Sequence, residues 1–93
     1  MNAYEVIIRP IDTEKTRYQA SELGQYVFEV HLDANKIEIK RAVEHIFDVD
    51  VARVNVMIMP AKQGWRKYRP PWKKAVVTLA EGERMDLFEG VVA

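Results

Sequence analysis

Apolar residues recur along this chain with two different periods, and the places where the period changes mark its elements. In QYVFEVHL (25–32), Tyr26, Phe28, Val30 and Leu32 alternate with Val27, Glu29 and His31, so the two sets fall on opposite faces of a strand. In NKIEIKRAVEHIF (35–47), Ile39, Ala42, Val43, Ile46 and Phe47 stand at helical spacing and form one apolar stripe opposite a charged face. Asn35 and Glu38 have the spacing of a reciprocal capping box, and Lys40 with Glu44 forms an ion pair one turn apart in the less favourable order.

The remaining segments read with the same rules. YEVII predicts a first strand over Tyr4–Ile8, stopped by Pro10, which has no amide hydrogen for a ladder. DTEKTRYQASELG predicts a short helix, with Asp12 or Thr13 as its cap, Glu14 at its positive end and Gly24 as a left-handed stop. VARVNVMIM is a strand with Val54, Val56 and Ile58 inward, and KAVVTLA is another. The order is therefore β-α-β-α-β-β, an α+β domain over residues 1–93 with helices packed on a sheet. The last two strands form a hairpin whose connection, 61–72, is long enough to suggest function. The tail, 83–93, follows a turn at Glu81-Gly82; its Leu87-Phe88 pair is expected to dock on the sheet and its last residues to fray.

Length and composition narrow the classes. Ninety-three residues support one core and no cleft between domains. With no cysteine there is no disulfide framework, thiolate zinc site or cysteine nucleophile. No apolar run approaches the ~20 residues that span a bilayer, and MNAYEVIIRP lacks the pattern of a signal peptide, so a cytoplasmic protein without membrane insertion is expected.

Charge changes the picture more. The net charge is zero, yet residues 51–80 hold seven cations (Arg53, Lys62, Arg66, Lys67, Arg69, Lys73, Lys74) and no acid. Residues 1–50 hold six Lys/Arg against ten Asp/Glu, and residues 81–93 hold one against four. At the centre of the acid-free third lies GWRKYRPPWKKA (64–75), where prolines hold the chain extended and Trp65, Tyr68 and Trp72 stand among the cations. Cations that neutralise phosphate, interleaved with rings on which bases stack, are the composition of a nucleic-acid contact. The plainer alternative is a solvated hairpin tip whose rings pack on their own strands, but the five cations of this stretch together with Lys62, without an acid, fit it poorly. RNA is favoured over duplex DNA, because no helix resembles a base-reading recognition helix.

Catalysis finds no support in these residues. His31 and His45 lack zinc-ligand spacing, and there is no glycine-rich phosphate cradle among four glycines. Glu38, Glu44, Asp48 and Asp50 suit a solvated helix face and its exit turn. No enzyme activity and no cofactor is expected.

Taken together, RPIDTEKT (9–16), YVFEV (26–30), ANKIEIKRAVEHIFDVDVARVNV (34–56), WKKAVVTLAEG (72–82) and DLFEG (86–90) resemble, in order and over almost the whole chain, the L-twenty-three family of large-subunit ribosomal proteins in its bacterial form. The resemblance implies a four-stranded antiparallel sheet with packed helices and an extended hairpin between its third and fourth strands. It also implies a structural protein on large-subunit ribosomal RNA, among neighbouring ribosomal proteins, beside the exit of the nascent-peptide tunnel. The hairpin carries RNA contacts in that family; the matching positions are Lys62, Trp65, Arg66, Lys67, Tyr68, Arg69, Trp72, Lys73 and Lys74, and Lys15, Lys36 and Lys40 join them through the two short motifs. A docking surface for trigger factor and the signal recognition particle carries over to Glu14, with Asp48 as a second position. From the residues alone, Glu14 reads as stabilising a helix start and Asp48 as a turn residue. Two features depart from the family: overall neutrality, and a tip, GWRKYRPP, that is shorter and more aromatic. The other readings are a free-standing RNA-binding α+β module and a protein-interaction domain whose basic hairpin holds an acidic partner.

Overall fold

The fold comes from a computed structural model, which describes residues 2–64 and 68–83, with only the backbone described at Gln63 and Arg69. The elements are α1 (Ala3–Val6), β1 (Ile7–Pro10), α2 (Glu14–Leu23), β2 (Gln25–Val30), α3 (Lys36–Phe47), β3 (Val51–Met59), β4 (Lys62–Gln63), β5 (Tyr68–Arg69) and β6 (Trp72–Leu79).

The chain does not enter as a strand at Tyr4. Asn2 caps a single helical turn instead: its Oδ1 accepts from the amides of Tyr4 (2.8 Å) and Glu5 (3.2 Å), while Glu5 Oε2 accepts from the Asn2 amide. This local capping box overrides the β-propensity of YEVII and delays the strand to Ile7. Val6 is thereby turned into the core, and Pro10 closes the edge strand, where a missing amide hydrogen is tolerated.

The two longer helices start and stop where their chemistry requires. At α2 the cap is Thr13, which exchanges hydrogen bonds with Thr16 at 3.1 and 2.7 Å. Asp12, the other candidate cap, forms a two-point pair with Arg17 at 2.5 and 2.9 Å, and that guanidinium holds its carboxyl below the usual range. Gly24 ends the helix at φ 64°, a conformation open to glycine at little cost. At α3 the Asn35–Glu38 box is formed, and Asp48 caps the far end at φ 53°. Glu44 does not serve a surface pair with Lys40; its carboxylate accepts from the Val51 amide at 3.1 Å and ties the helix to the start of β3.

The sheet is antiparallel throughout, in the order β1-β2-β6-β3. Its pleat sorts the side chains. Tyr26, Phe28 and Val30 of β2 pair across β6 with Val77, Ala75 and Lys73, and these with Val54, Val56 and Ile58 of β3. The apolar members of the first two rows meet Val6, Ala20, Ile39, Ala42 and Val43 in one core, where Phe28 packs on Phe47 at a ring separation of 5.7 Å. Val27 and Val76, a cross-strand pair, lie on the opposite face. Two expectations for this layer need correction. Leu32 lies beyond the end of β2 and is exposed, and Ile58 lies past the helical cover, 65% exposed. The turn at Glu81-Gly82 is present, with the Glu83 amide donating to the Ala80 carbonyl at 3.0 Å. The docking expected of Leu87-Phe88 and the fraying expected of the tail lie outside the described residues.

Candidate nucleic-acid interface

The hairpin is more regular than a 12-residue loop. Met59 and Trp72 form the last pair of the main ladder; two residues on each arm, Pro60-Ala61 and Pro70-Pro71, interrupt it. It then resumes as Lys62 opposite Arg69 and Gln63 opposite Tyr68. Prolines cannot donate to a ladder, so they open the gap, but equal spacing on both arms leaves the register unchanged. Of the connection between these pairs, 64–67, Gly64 alone is among the described residues. Within the connection expected over 61–72, Lys62, Gln63, Tyr68 and Arg69 are thus paired, and Trp72 opens a core strand.

Along this hairpin the predicted contact residues divide into distinct environments. Tyr68 is 66% exposed, and Lys62 is exposed beside Met59, Pro60 and Trp72, where a small cleft opens. Trp72 is half-buried at the hairpin base and also lines a second cleft with Arg9, Glu29 and Pro70. Trp65, Arg66 and Lys67 lie outside the described residues, as does the side chain of Arg69.

Lys73 and Lys74, adjacent in sequence, point to opposite faces. Lys74 lies between Glu29 of β2 and Met57 of β3, on the face away from the core. Lys73 is on the core side, and its Nζ donates to the carbonyl of Ala34 at 2.7 Å, just before the cap of α3. A charged donor on a buried carbonyl is a strong hydrogen bond, so Lys73 already has a task in the fold. Replacing Lys73 with methionine is expected to lower stability by roughly 1–2 kcal/mol in urea denaturation, because the buried Ala34 carbonyl loses its donor. The same change is expected to leave the salt dependence of RNA binding nearly as it was.

The remaining positions are far from the hairpin in sequence and exposed: Lys15 in the first turn of α2, Lys36 and Lys40 on α3. Glu14 is the first residue of α2 and is exposed, consistent with its reading as a helix-start residue; Asp48 occupies the left-handed cap of α3. Among the described residues no group of His, Cys, Asp and Glu could hold a metal ion, and no helix is long and apolar enough to cross a membrane.

The structure adds residues that periodicity did not single out. Arg9 stands opposite Glu29, and its Nε donates to Glu29 Oε1 at 2.8 Å. Since Glu29 is also opposite Lys74, a row Arg9–Glu29–Lys74–Met57 crosses all four strands on the face away from the core. Arg53 and Asn55 continue that face along β3 and are exposed. Arg9 lies within the quoted motif RPIDTEKT, but only strand pairing brings it beside Trp72.

Comparison with known proteins bears on the family of the chain. The family model for ribosomal protein L23 matches residues 5–87. The chain is 50% identical over 94 residues to the large ribosomal subunit protein uL23 of Roseiflexus castenholzii, covering 97% of this chain and 99% of that one. It is 47% identical over 93 residues to the uL23 of Aquifex aeolicus, covering 92% and 90% of the two chains, and 50% identical over 93 residues to that of Geobacter sulfurreducens, covering 96% and 99%.

Proposed function

This chain belongs to the ribosomal protein L23 family, and from that premise we propose that it binds large-subunit ribosomal RNA through the basic hairpin and the adjoining sheet face, beside the exit of the nascent-peptide tunnel. Family membership makes it a structural, non-enzymatic component of the large ribosomal subunit, working in the cytoplasm on the ribosome. The observation that carries the RNA reading is the acid-free run from Val51 to Ala80, which the fold gathers into two paired strands and their tip. Its cations other than Lys73 neutralise phosphates, and Tyr68 and Trp72 supply rings for unpaired bases. Ribosomal RNA and neighbouring ribosomal proteins are its partners in this reading. Co-sedimentation tests it: the protein is expected to travel with large subunits in moderate salt, and protein left at the top of the gradient contradicts it.

The acids lie elsewhere, on the first half of the chain and its tail. We propose that Glu14 and Asp48 belong to a docking surface for trigger factor and the signal recognition particle. Glu14→Lys is expected to weaken factor binding to assembled subunits by roughly five- to tenfold, since it replaces attraction with repulsion at an exposed site. Subunit assembly should be unaffected; equal factor affinity for the variant would remove Glu14 from that surface.

A further inference from the structure

Where β1, β2 and the base of the hairpin meet, Arg9, Glu29, Pro70 and Trp72 line an open cleft of about 220 Å³. It lies on the face away from the core, at the end of the sheet from which the hairpin leaves. Glu29 and Trp72 are half-buried, whereas Arg9 and Pro70 are exposed, so the cleft has a firm floor and an accessible rim. The register explains the grouping: Glu29 is paired with Arg9 on one side and Lys74 on the other, and Trp72 is its diagonal neighbour along β6.

The polar groups in the cleft are only partly used. Arg9 gives its Nε to Glu29 Oε1, and among the described residues its terminal amino groups make no hydrogen bond. Glu29 Oε2 likewise accepts none. A cleft that offers an aromatic ring, a proline face, a free guanidinium edge and a free carboxylate oxygen is complementary to one unstacked nucleotide. The ring stacks on the base, the guanidinium holds the adjacent phosphate, and the carboxylate accepts from an N–H on the base edge. A carboxylate repels phosphate, so the phosphate is confined to the Arg9 rim and the base to the interior.

We propose that this cleft receives a single extruded nucleotide of ribosomal RNA whose base edge presents an N–H donor to Glu29. The inference rests on the RNA-binding reading above and extends it to Arg9, Glu29 and Pro70, none of which the sequence marks as contacts.

The test uses the full chain and in vitro transcribed large-subunit ribosomal RNA from the same organism, with chemical probing of the backbone and of base edges. In the wild-type complex, one nucleotide is expected to gain backbone reactivity while its base edge becomes protected. Trp72→Leu should abolish that signature and weaken binding roughly tenfold, the scale of one base–aromatic stack, with no change in salt slope. Trp72→Phe should restore both. Arg9→Gln, at an exposed position where folding is not at stake, should lower the salt slope by about one phosphate contact, roughly 0.7 to 0.9. Wild-type binding without such a nucleotide, or an Arg9→Gln variant with unchanged slope and footprint, would overturn the cleft assignment while leaving RNA binding intact. Failure of the wild-type protein to bind the RNA at all would overturn the underlying reading and this one with it.

Discussion

Exchanging Lys62, Arg66, Lys67 and Lys74 together for glutamine is expected to lower affinity for large-subunit ribosomal RNA by roughly three decades near 0.1 M monovalent salt. Each phosphate neutralised releases counterions and contributes roughly 0.7 to 0.9 to the slope of log affinity against log salt, so four lost contacts flatten the slope by about three. Lys73 is left out of the set because its ammonium group is held by the Ala34 carbonyl, and its loss would confuse unfolding with weakened binding. Filter binding over a salt series measures the effect. The variant should fold normally, since Lys62 is exposed and Lys74 lies on the face away from the core. If the slope of the variant matches that of the wild type, the hairpin is not where RNA is bound.

The second large effect concerns the frame that holds the hairpin. Phe28 has no exposed surface, sits at the centre of the β2–β6 ladder opposite Ala75, and packs against Phe47. Phe28→Ala removes a large ring from a filled core and is expected to cost about 3–5 kcal/mol. A domain of this size usually has about 5–15 kcal/mol in total, so the variant should lose much of its urea resistance and populate unfolded chains measurably at 37 °C. Ile37→Ala serves as the contrast: that side chain is 62% exposed on α3, and its loss should change stability by no more than about 0.5 kcal/mol. Similar losses for the two would mean that the core does not centre on Phe28. Because one arm of the hairpin, β6, belongs to this ladder and the other, β3, pairs with it, Phe28→Ala should also weaken RNA binding through the unfolded fraction, an effect that added RNA reverses by mass action.

Much of this architecture is legible in particular residues. The stripe Ile39, Ala42, Val43 and the Asn35–Glu38 box determine α3 at both levels, because the signals are local and agree. Gly24 and Thr13 do the same for α2. The start of the chain misleads, since YEVII has strand composition while the capping box between Asn2 and Glu5 favours a helical turn over the first strand pairs. Leu32 and Ile58 mislead differently: both continue an apolar period, but burial depends on where the neighbouring layer ends.

The contact face shows the same division. That residues 51–80 are free of acid, and that rings and cations alternate through 65–74, follows from counting residues, because charge and stacking capacity belong to side chains wherever they are placed. Which of those cations are free to meet a phosphate does not follow. Lys73 and Lys74 are neighbours with the same side chain, yet the period-two pleat sends one to a carbonyl at the start of α3 and the other to the opposite face. Arg9 and Glu29 meet Trp72 only because β2 pairs with both β1 and β6. Local sequence pattern sufficed for the two longer helices, for β2, β3 and β6, for the family and for the chemistry available at the hairpin. Strand order and register decided which groups converge, since contacts between distant residues arise from ladder geometry that no local pattern encodes.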